Sequence, residues 1–223
     1  MKISRTLVVA PHPDDEILGC GGTLLRRRFE GTEIGWLIVT GMSTDAGWSS
    51  EQVLQREAEI GRVAEMMGFA QVFNLRLPTA QLDRLPMGDI VSRFAGVFTE
   101  FLPEEVFLPH PEDVHSDHRV VFDAAAACSK WFRYPSVRRV VAYETPSETD
   151  FGLAPCGAFR PNCFVDVSEY LDRKVEIMET YKSEIGSFPF PRSVEAVRAL
   201  AKTRGATGGF HAAEAFQILR ERF

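Results

Sequence analysis

The sequence has few cysteines, few histidines and no long apolar segment. Its four cysteines form no Cys-x-x-Cys pair, and they are too sparse for a disulfide scaffold, so we expect a reduced, cytoplasmic protein. No apolar run approaches the roughly 18 residues that cross a bilayer. The first apolar run, "RTLVVA", is only as long as a strand and leads directly into charged residues. It therefore predicts neither a membrane span nor a signal peptide.

Basic residues are fewer than acidic residues. Lys and Arg number 25 against 31 for Asp and Glu, which gives a net charge of −6. Nucleic acids and anionic membranes both require a basic face on the protein, so neither is expected as a partner. The composition is compatible with a homo-oligomer but does not define one.

The glycines near the start of the chain do not form a nucleotide-binding motif. The stretch "GCGGTL" has Leu24 where a dinucleotide fingerprint requires its third glycine, and the chain carries no P-loop motif. Close backbone packing explains these glycines better, and a nucleotide cofactor is not expected.

Over the first 144 residues, apolar strand-like runs alternate with amphipathic helical patterns. The strand-like runs are "RTLVVA", "EIGWLIVTG", "QVFNLRL", "EEVFLPHP" and "VRRVVAYE". Continuous β-branched runs of this kind are typical of strands that are buried on both faces of a parallel sheet. The alternation predicts an α/β fold, namely a three-layer αβα, Rossmann-like architecture with a mostly parallel sheet. The active site of such a fold lies at the carboxyl ends of the strands.

The pattern changes after Glu144. Residues 145–162 are rich in Pro, Gly and Ser and predict a long loop. A short strand, "CFVDV", and two or three helices are expected after it, with His211 as a structural residue of the helical stretch "FHAAEAF". We interpret residues 1–223 as a single domain, with a βαβ core over 1–144 and an extension over 145–223.

Four of the five histidines follow just two of the predicted strands. His12 follows the first strand together with Asp14 and Asp15, and "HPEDVHSDH" follows the fourth. An aspartate after a strand is often only a helix N-cap, and a single histidine in a Pro-rich turn is usually a surface residue. Two such clusters at one edge of the same sheet indicate a functional site instead.

The residue types in these clusters favour a catalytic metal centre. Two imidazoles and one carboxylate form a catalytic zinc site with an open position for water, and His12, Asp15 and His118 supply that set. Nitrogen and oxygen ligands of this kind also accept Fe²⁺ or Co²⁺ in place of Zn²⁺. Asp14 does not ligate the metal in this scheme and is placed to act as a general base.

Two further residues are predicted to serve the reaction. His115 lies on nearly the same helical face as His118, and as an imidazolium it could donate to a developing oxyanion. Asp117 is predicted to lie behind His115 and to orient its ring.

The boxes "PHPDDE" and "HSDH" together resemble the LmbE-like, or PIG-L, family of zinc-dependent N-acetylglucosaminyl deacetylases. The helix "REAEIGRVAEMMG" and the carboxyl-terminal third of the chain are also similar to members of that family. The resemblance implies the same three zinc ligands, Asp14 as the base, His115 as the group that stabilises the oxyanion or protonates the leaving amine, and Asp117 behind His115. The family usually has His-Pro-Arg-Ser where this chain has "FPRS", residues 190–193.

Two predicted substrate contacts are less specific. Arg56 falls where some members of the family hold an acidic substituent of the substrate, although a helix arginine paired with a nearby glutamate fits the same pattern. Trp48 is a candidate for stacking on a sugar ring, and a buried turn tryptophan fits equally well. Glu16 has no defined role beyond a helix-start carboxylate or a partner of the site residues.

These residues predict a metal-dependent hydrolase that removes an acetyl group from an N-acetylated amino sugar. One alternative is an amidase that cleaves a larger acyl group or a thiol conjugate of glucosamine. A non-haem iron oxygenase uses the same ligand types, but such sites usually lie in an all-β double sheet. A sugar-binding module without turnover would have no need for Asp14 and His115.

Overall fold

The computed structural model describes residues 3–153 and 157–223. Residues 154–156 of the predicted 145–162 loop, among them Cys156, lie outside the described residues. The strands are β1 (Arg5–Ala10), β2 (Glu33–Gly41), β3 (Gln71–Pro78), β4 (Glu105–Pro109), β5 (Arg139–Tyr143), β6 (Cys163–Asp166) and β7 (Ala213–Glu221). The helices are α1 (Asp15–Phe29), α2 (Ser50–Met67), α3 (Met87–Phe101), α4 (Ser116–Ala127), α5 (Leu171–Met178) and α6 (Val194–Gly208). Short 3₁₀ helices lie at Thr44–Ala46 and Leu82–Arg84.

All seven strands form one sheet, in the order β3-β2-β1-β4-β5-β7-β6. Strands β1 to β5 pair in parallel, whereas β7 is antiparallel to both of its neighbours. Strands β6 and β7 thus continue the sheet formed by the first five strands, and the division of residues 1–223 into one domain with an extension stays a prediction.

The sheet separates two hydrophobic clusters, and β1 contributes to both. Val8 and Ala10 pack on the side that carries α1, α2, α5 and α6. Leu7 and Val9 pack on the other side, with α3 and α4. Successive side chains of a strand point to opposite faces, so a strand that is apolar at every position is covered by helices on both sides. This arrangement confirms the predicted three-layer αβα fold.

The sequence signals at the ends of α2 correspond to capping contacts. Ser49 and Gln52 form a capping box at its start, and Gly68 ends the helix with φ 62°. A serine cap with Gln three residues on satisfies two free N–H groups, and a left-handed C-cap favours glycine. These contacts define both ends of α2.

The prediction of a final helix over "FHAAEAF" is wrong. Ala213 begins β7, which lies between β5 and β6, and His211 is an exposed residue of the bend before it. Alanine favours helices by a fraction of a kcal/mol per residue. Pairing with two strands, together with burial of residues 213–216, outweighs that preference.

Among the described residues, no helix combines the length and the apolar character needed to cross a membrane.

Candidate metal centre and active site

The two histidine clusters meet at the carboxyl edge of the sheet. Strand β1 pairs in parallel with β4, so the turn after β1 lies beside the segment after β4. This places His12 next to His118, with the ring centroids 5.4 Å apart. Both residues line an open pocket with a cavity volume of about 220 Å³. Such an edge is where α/β sheets bind ligands.

The three predicted metal ligands lie together. Ligand atoms of His12, Asp15 and His118 all lie within 4.8 Å of one another. Oδ2 of Asp15 is 3.3 Å from Nδ1 of His12 and 3.4 Å from Nε2 of His118. That Nε2 atom is buried and has no hydrogen-bond partner among the described residues. A buried imidazole nitrogen left free beside a carboxylate fits a metal cation.

Asp113 supports His118 from behind. Its Oδ2 lies 2.8 Å from Nδ1 of His118, and its Oδ1 accepts a hydrogen bond of 2.6 Å from the Thr149 hydroxyl. A carboxylate on the far nitrogen of a ligand histidine fixes the ring and its tautomer. Asp113 stands five residues before His118 in the second histidine cluster, but no feature of the sequence distinguishes it from Glu112 for this role.

Asp117 contacts a different ring from the one predicted. Its carboxylate lies 3.1 Å from Nε2 of His12 and accepts hydrogen bonds from the backbone N–H groups of Ala80 (2.7 Å) and Leu82 (3.1 Å). Only its backbone N–H reaches His115, at Nδ1 (3.1 Å). His115 is the N-cap of α4, so the Asp117 side chain, two residues later, turns inward toward β1 and the segment after β3.

A second group of donors, formed by His12, His115 and Asp117, also lies within 4.8 Å. The oxygens of Asp117 already accept hydrogen bonds from two backbone N–H groups, and Nδ1 of His115 accepts one from a third. In the group formed by His12, Asp15 and His118, by contrast, Nε2 of His118 has no hydrogen-bond partner among the described residues. That first group therefore fits a metal better.

The charges around the two ligand histidines favour a cation. Burial acts to lower the pKa of His12, but hydrogen bonds to Asp117 and Asp15 raise it to about 9. Burial also acts to lower the pKa of His118, but Asp15 and Asp113 raise it to about 10. Carboxylates that stabilise imidazolium to this extent also stabilise a divalent metal ion at the same place.

His115 has the opposite environment. Burial and the neighbouring rings of His12 and His118 lower its pKa to about 4. Because its Nδ1 accepts the N–H of Asp117, the neutral ring carries its proton on Nε2. The geometry thus favours a neutral N–H donor at this position rather than the imidazolium expected from the sequence.

Asp14 occupies the N-cap position of α1, yet its side chain makes no capping bond. It accepts a 2.8 Å hydrogen bond from Nη1 of Arg192 instead. Burial and the adjacent Asp15 raise the pKa of Asp14 to about 7, while Arg192 acts to lower it. Its backbone has φ 145° and ψ −30°, a conformation that costs an L-residue about 1–3 kcal/mol. The simple explanation of Asp14 as a helix cap therefore does not hold.

Arg56 and Trp48 both line the pocket. The guanidinium of Arg56 bonds to the Pro13 carbonyl (2.9 Å), the Ser183 hydroxyl (2.9 Å) and Glu184. Trp48 is 36% exposed, so it is not a buried turn tryptophan. Contact of either residue with substrate stays a prediction.

Arg192 belongs to the stretch "FPRS", which is notable in the sequence only because it lacks the family's usual histidine. Arg192 approaches the site from a segment 178 residues beyond Asp14. No local periodicity or spacing signals such a contact.

These features define an α/β protein of the Rossmann-like type with a candidate metal centre at the carboxyl edge of its sheet. Residues 7–129 match the model of the PIG-L family, described as GlcNAc-PI de-N-acetylase. The match covers more than half of the chain, and the chain belongs to this family.

Known proteins are similar to this chain in sequence and in fold. The diacetylchitobiose deacetylase of Thermococcus kodakarensis is 25% identical over an alignment of 232 positions, gaps included, which spans 97% of this chain and 84% of that protein. A conserved protein from Thermus thermophilus is 29% identical, with a TM-score of 0.78 over 100% of this chain and 97% of its own. The N,N'-diacetylchitobiose deacetylase of Pyrococcus horikoshii, at 21% identity, has a TM-score of 0.79 over 98% of this chain and 85% of its own and shows the shared fold.

Proposed function

We propose that this protein is a metal-dependent hydrolase that removes the acetyl group from an N-acetylated amino sugar. The observation that carries the proposal is that two neighbouring aspartates, Asp14 and Asp15, face different groups. Asp15 faces the two ligand histidines, while Asp14 bonds to Arg192 and also lines the pocket. The names of the deacetylase relatives support the choice of reaction and of an amino-sugar substrate.

His12, Asp15 and His118 would hold the metal, for which Zn²⁺ suits two imidazoles and one carboxylate and Fe²⁺ or Co²⁺ are alternatives. When bound, such an ion lowers the pKa of water and polarises an amide carbonyl. Asp113 and Asp117 fix the rings of His118 and His12, so both ligands are oriented before the ion binds.

The protein's own groups move the protons. Asp14 accepts a proton from the attacking water as the water oxygen bonds to the amide carbon. The N–H at Nε2 of His115 donates to the amide oxygen as negative charge develops there. The carbon–nitrogen bond then breaks, and the proton held by Asp14 passes to the leaving nitrogen. The products are acetate and the free amine.

The wall of the pocket offers both apolar and polar groups to a sugar, as small-molecule sites usually do. Trp48 and Met42 provide apolar surface at its wall, and Arg56, Glu148 and Glu184 provide polar groups. An exposed indole beside polar groups is suited to the face of a pyranose ring.

The proposal is tested by release of acetate from N-acetylglucosamine and N,N'-diacetylchitobiose, with longer N-acyl glucosamines included to test the larger-acyl alternative. Asp14→Asn should reduce kcat by at least about 10²-fold, since a positioned base contributes that much, while the bound metal measured by mass spectrometry stays at the wild-type level. Asp123, exposed in the middle of α4, provides the matched control Asp123→Asn. Full activity of Asp14→Asn would overturn the proposed base.

A further inference from the structure

The peptide that joins Pro13 to Asp14 is held on both sides. Its carbonyl oxygen accepts a 2.9 Å hydrogen bond from Nη1 of Arg56, and its N–H donates a 3.0 Å bond to Oε2 of Glu16. A peptide plane has one acceptor and one donor on opposite edges. Bonds to both edges fix the rotation of that plane, and with it the φ of Asp14.

Both groups that hold this peptide are themselves buried and anchored. Glu16 has no exposed surface, and its second oxygen accepts a 2.8 Å hydrogen bond from the Tyr181 hydroxyl. Arg56 is 5% exposed, and its other nitrogens face Glu59, Ser183 and Glu184.

The Asp14 carboxylate is held by a third group. Nη1 of Arg192 bonds to Oδ2 of Asp14 at 2.8 Å and to Glu184 at 3.1 Å, and its Nε bonds to the Ser147 hydroxyl at 3.0 Å. Among the described residues, no other side chain bonds to the Asp14 carboxylate, which leaves its Oδ1 free to accept a proton. Glu184 contacts both Arg192 and Arg56, so the backbone and side-chain restraints on Asp14 form one connected network.

We infer that Glu16, Arg56 and Arg192 are positioning residues that hold Asp14 in the geometry of a general base. The inference rests on the proposed function, because it takes Asp14 as the base. A residue with φ 145° keeps that conformation only when its surroundings impose it. Here the conformation turns the carboxylate of Asp14 away from the ligand set that the adjacent Asp15 completes. Arg56 thereby acts on the turn between β1 and α1, a role different from the substrate contact that the family resemblance implies.

Substitutions at Glu16 separate a positioning role from an acid–base role. In Glu16→Gln, the amide oxygen still accepts the N–H of Asp14 and the amide NH₂ can donate to the Tyr181 hydroxyl. In Glu16→Ala, both bonds are lost. A positioning role therefore predicts that Glu16→Gln retains at least about ten times more kcat than Glu16→Ala, since small misplacements of a catalytic group cost up to about 10²-fold.

Substitutions at the arginines test the rest of the network. Arg192→Gln should lower kcat by about 10- to 100-fold, with KM changed less than about twofold and bound metal unchanged. Arg192→Lys should recover part of that loss. Arg198 lies on α6, where it pairs with Asp172, and Arg198→Gln is the matched control. Wild-type kinetics in Arg192→Gln, or equal losses in Glu16→Gln and Glu16→Ala, would overturn the inference.

Crystal structures of the same variants test the positioning independently of turnover. We expect the Pro13–Asp14 peptide to rotate in Arg56→Gln and Glu16→Ala, and the Asp14 carboxylate to shift in Arg192→Gln. Unchanged Asp14 geometry in all three would refute the positioning roles even in an active enzyme. Failure of the wild type to release acetate, together with the expected rotations, would refute the proposed reaction and leave the structural assignment in place.

Discussion

The buried ion pair between Lys174 and Glu214 gives a sharp test of what holds α1 in place. The Lys174 ammonium bonds to Glu214 at 2.7 Å and to the Leu18 carbonyl at 2.9 Å. Glu214 also accepts the backbone N–H groups of Gly22 (2.9 Å) and Thr23 (2.7 Å). The side chains of the pair are each 5% exposed. One cluster thus joins α5, β7 and the middle of α1.

We expect Lys174→Met to lower the free energy of unfolding by about 3–5 kcal/mol, because removing one partner leaves a buried carboxylate without its counter-charge. Glu214 keeps its two backbone donors, which favours the lower end of that range. For a chain of this size, the loss corresponds to a fall in Tm of roughly 6–20 °C.

Urea unfolding at pH 7, followed by circular dichroism, measures this loss. The matched control is Arg173→Gln on the same helix, because Arg173 and its partner Glu176 are 42% and 60% exposed and such pairs contribute about 0–1 kcal/mol. The double variant Lys174→Met, Glu214→Gln should be more stable than Lys174→Met alone, since it removes the unpaired charge. A loss below about 1 kcal/mol in Lys174→Met, or no recovery in the double variant, would refute the reasoning.

Three further predictions concern the metal centre and the packing of α1. Asp113→Asn should weaken zinc binding by about 10- to 100-fold, measured in competition with a chromogenic chelator. An unchanged affinity would contradict the role of Asp113 in orienting His118. Dialysis against a strong chelator should abolish acetate release and lower Tm, with both restored by Zn²⁺, because a ligand present at about 100 times its Kd adds about 2.7 kcal/mol; a chelated protein with full activity would contradict metal dependence. Gly19→Ala should destabilise by about 1–3 kcal/mol in urea unfolding, because its Cβ would meet the ring of Tyr143. Gly61→Ala, where a Cβ meets nothing within 4 Å, should leave stability unchanged or raise it by up to about 1 kcal/mol.

The sequence predicts best the parts of this molecule that depend on short-range pattern. The continuous apolar character of β1 and the capping residues of α2 are local signals with direct structural causes. The meeting of His12 with His118 followed from a general rule, since the carboxyl ends of parallel strands lie at one edge.

The contacts that sequence reasoning missed are those set by tertiary packing. Strand β7 contains "AEAF", whose alanines favour helix locally, and only pairing with β5 and β6 makes it a strand. Arg192 and Asp14 are far apart in the chain, and nothing near either residue encodes their bond. The prediction that Asp117 orients the ring of His115 is wrong, because its carboxylate lies against His12 instead. The direction of that side chain depends on how α4 packs against the segment after β3.

The bond between Arg192 and Asp14 also has a consequence for synthesis of the chain. The three candidate metal ligands all lie within the first 118 residues, whereas Tyr181, Arg192 and Glu214 come from the last third. Domains generally fold as units, and contacts between distant segments form late. A nascent chain that ends before residue 181 carries every candidate metal ligand but lacks the groups that restrain Asp14 and α1. We therefore expect the candidate metal site and its restraints to be completed together, only when the last strand has joined the sheet.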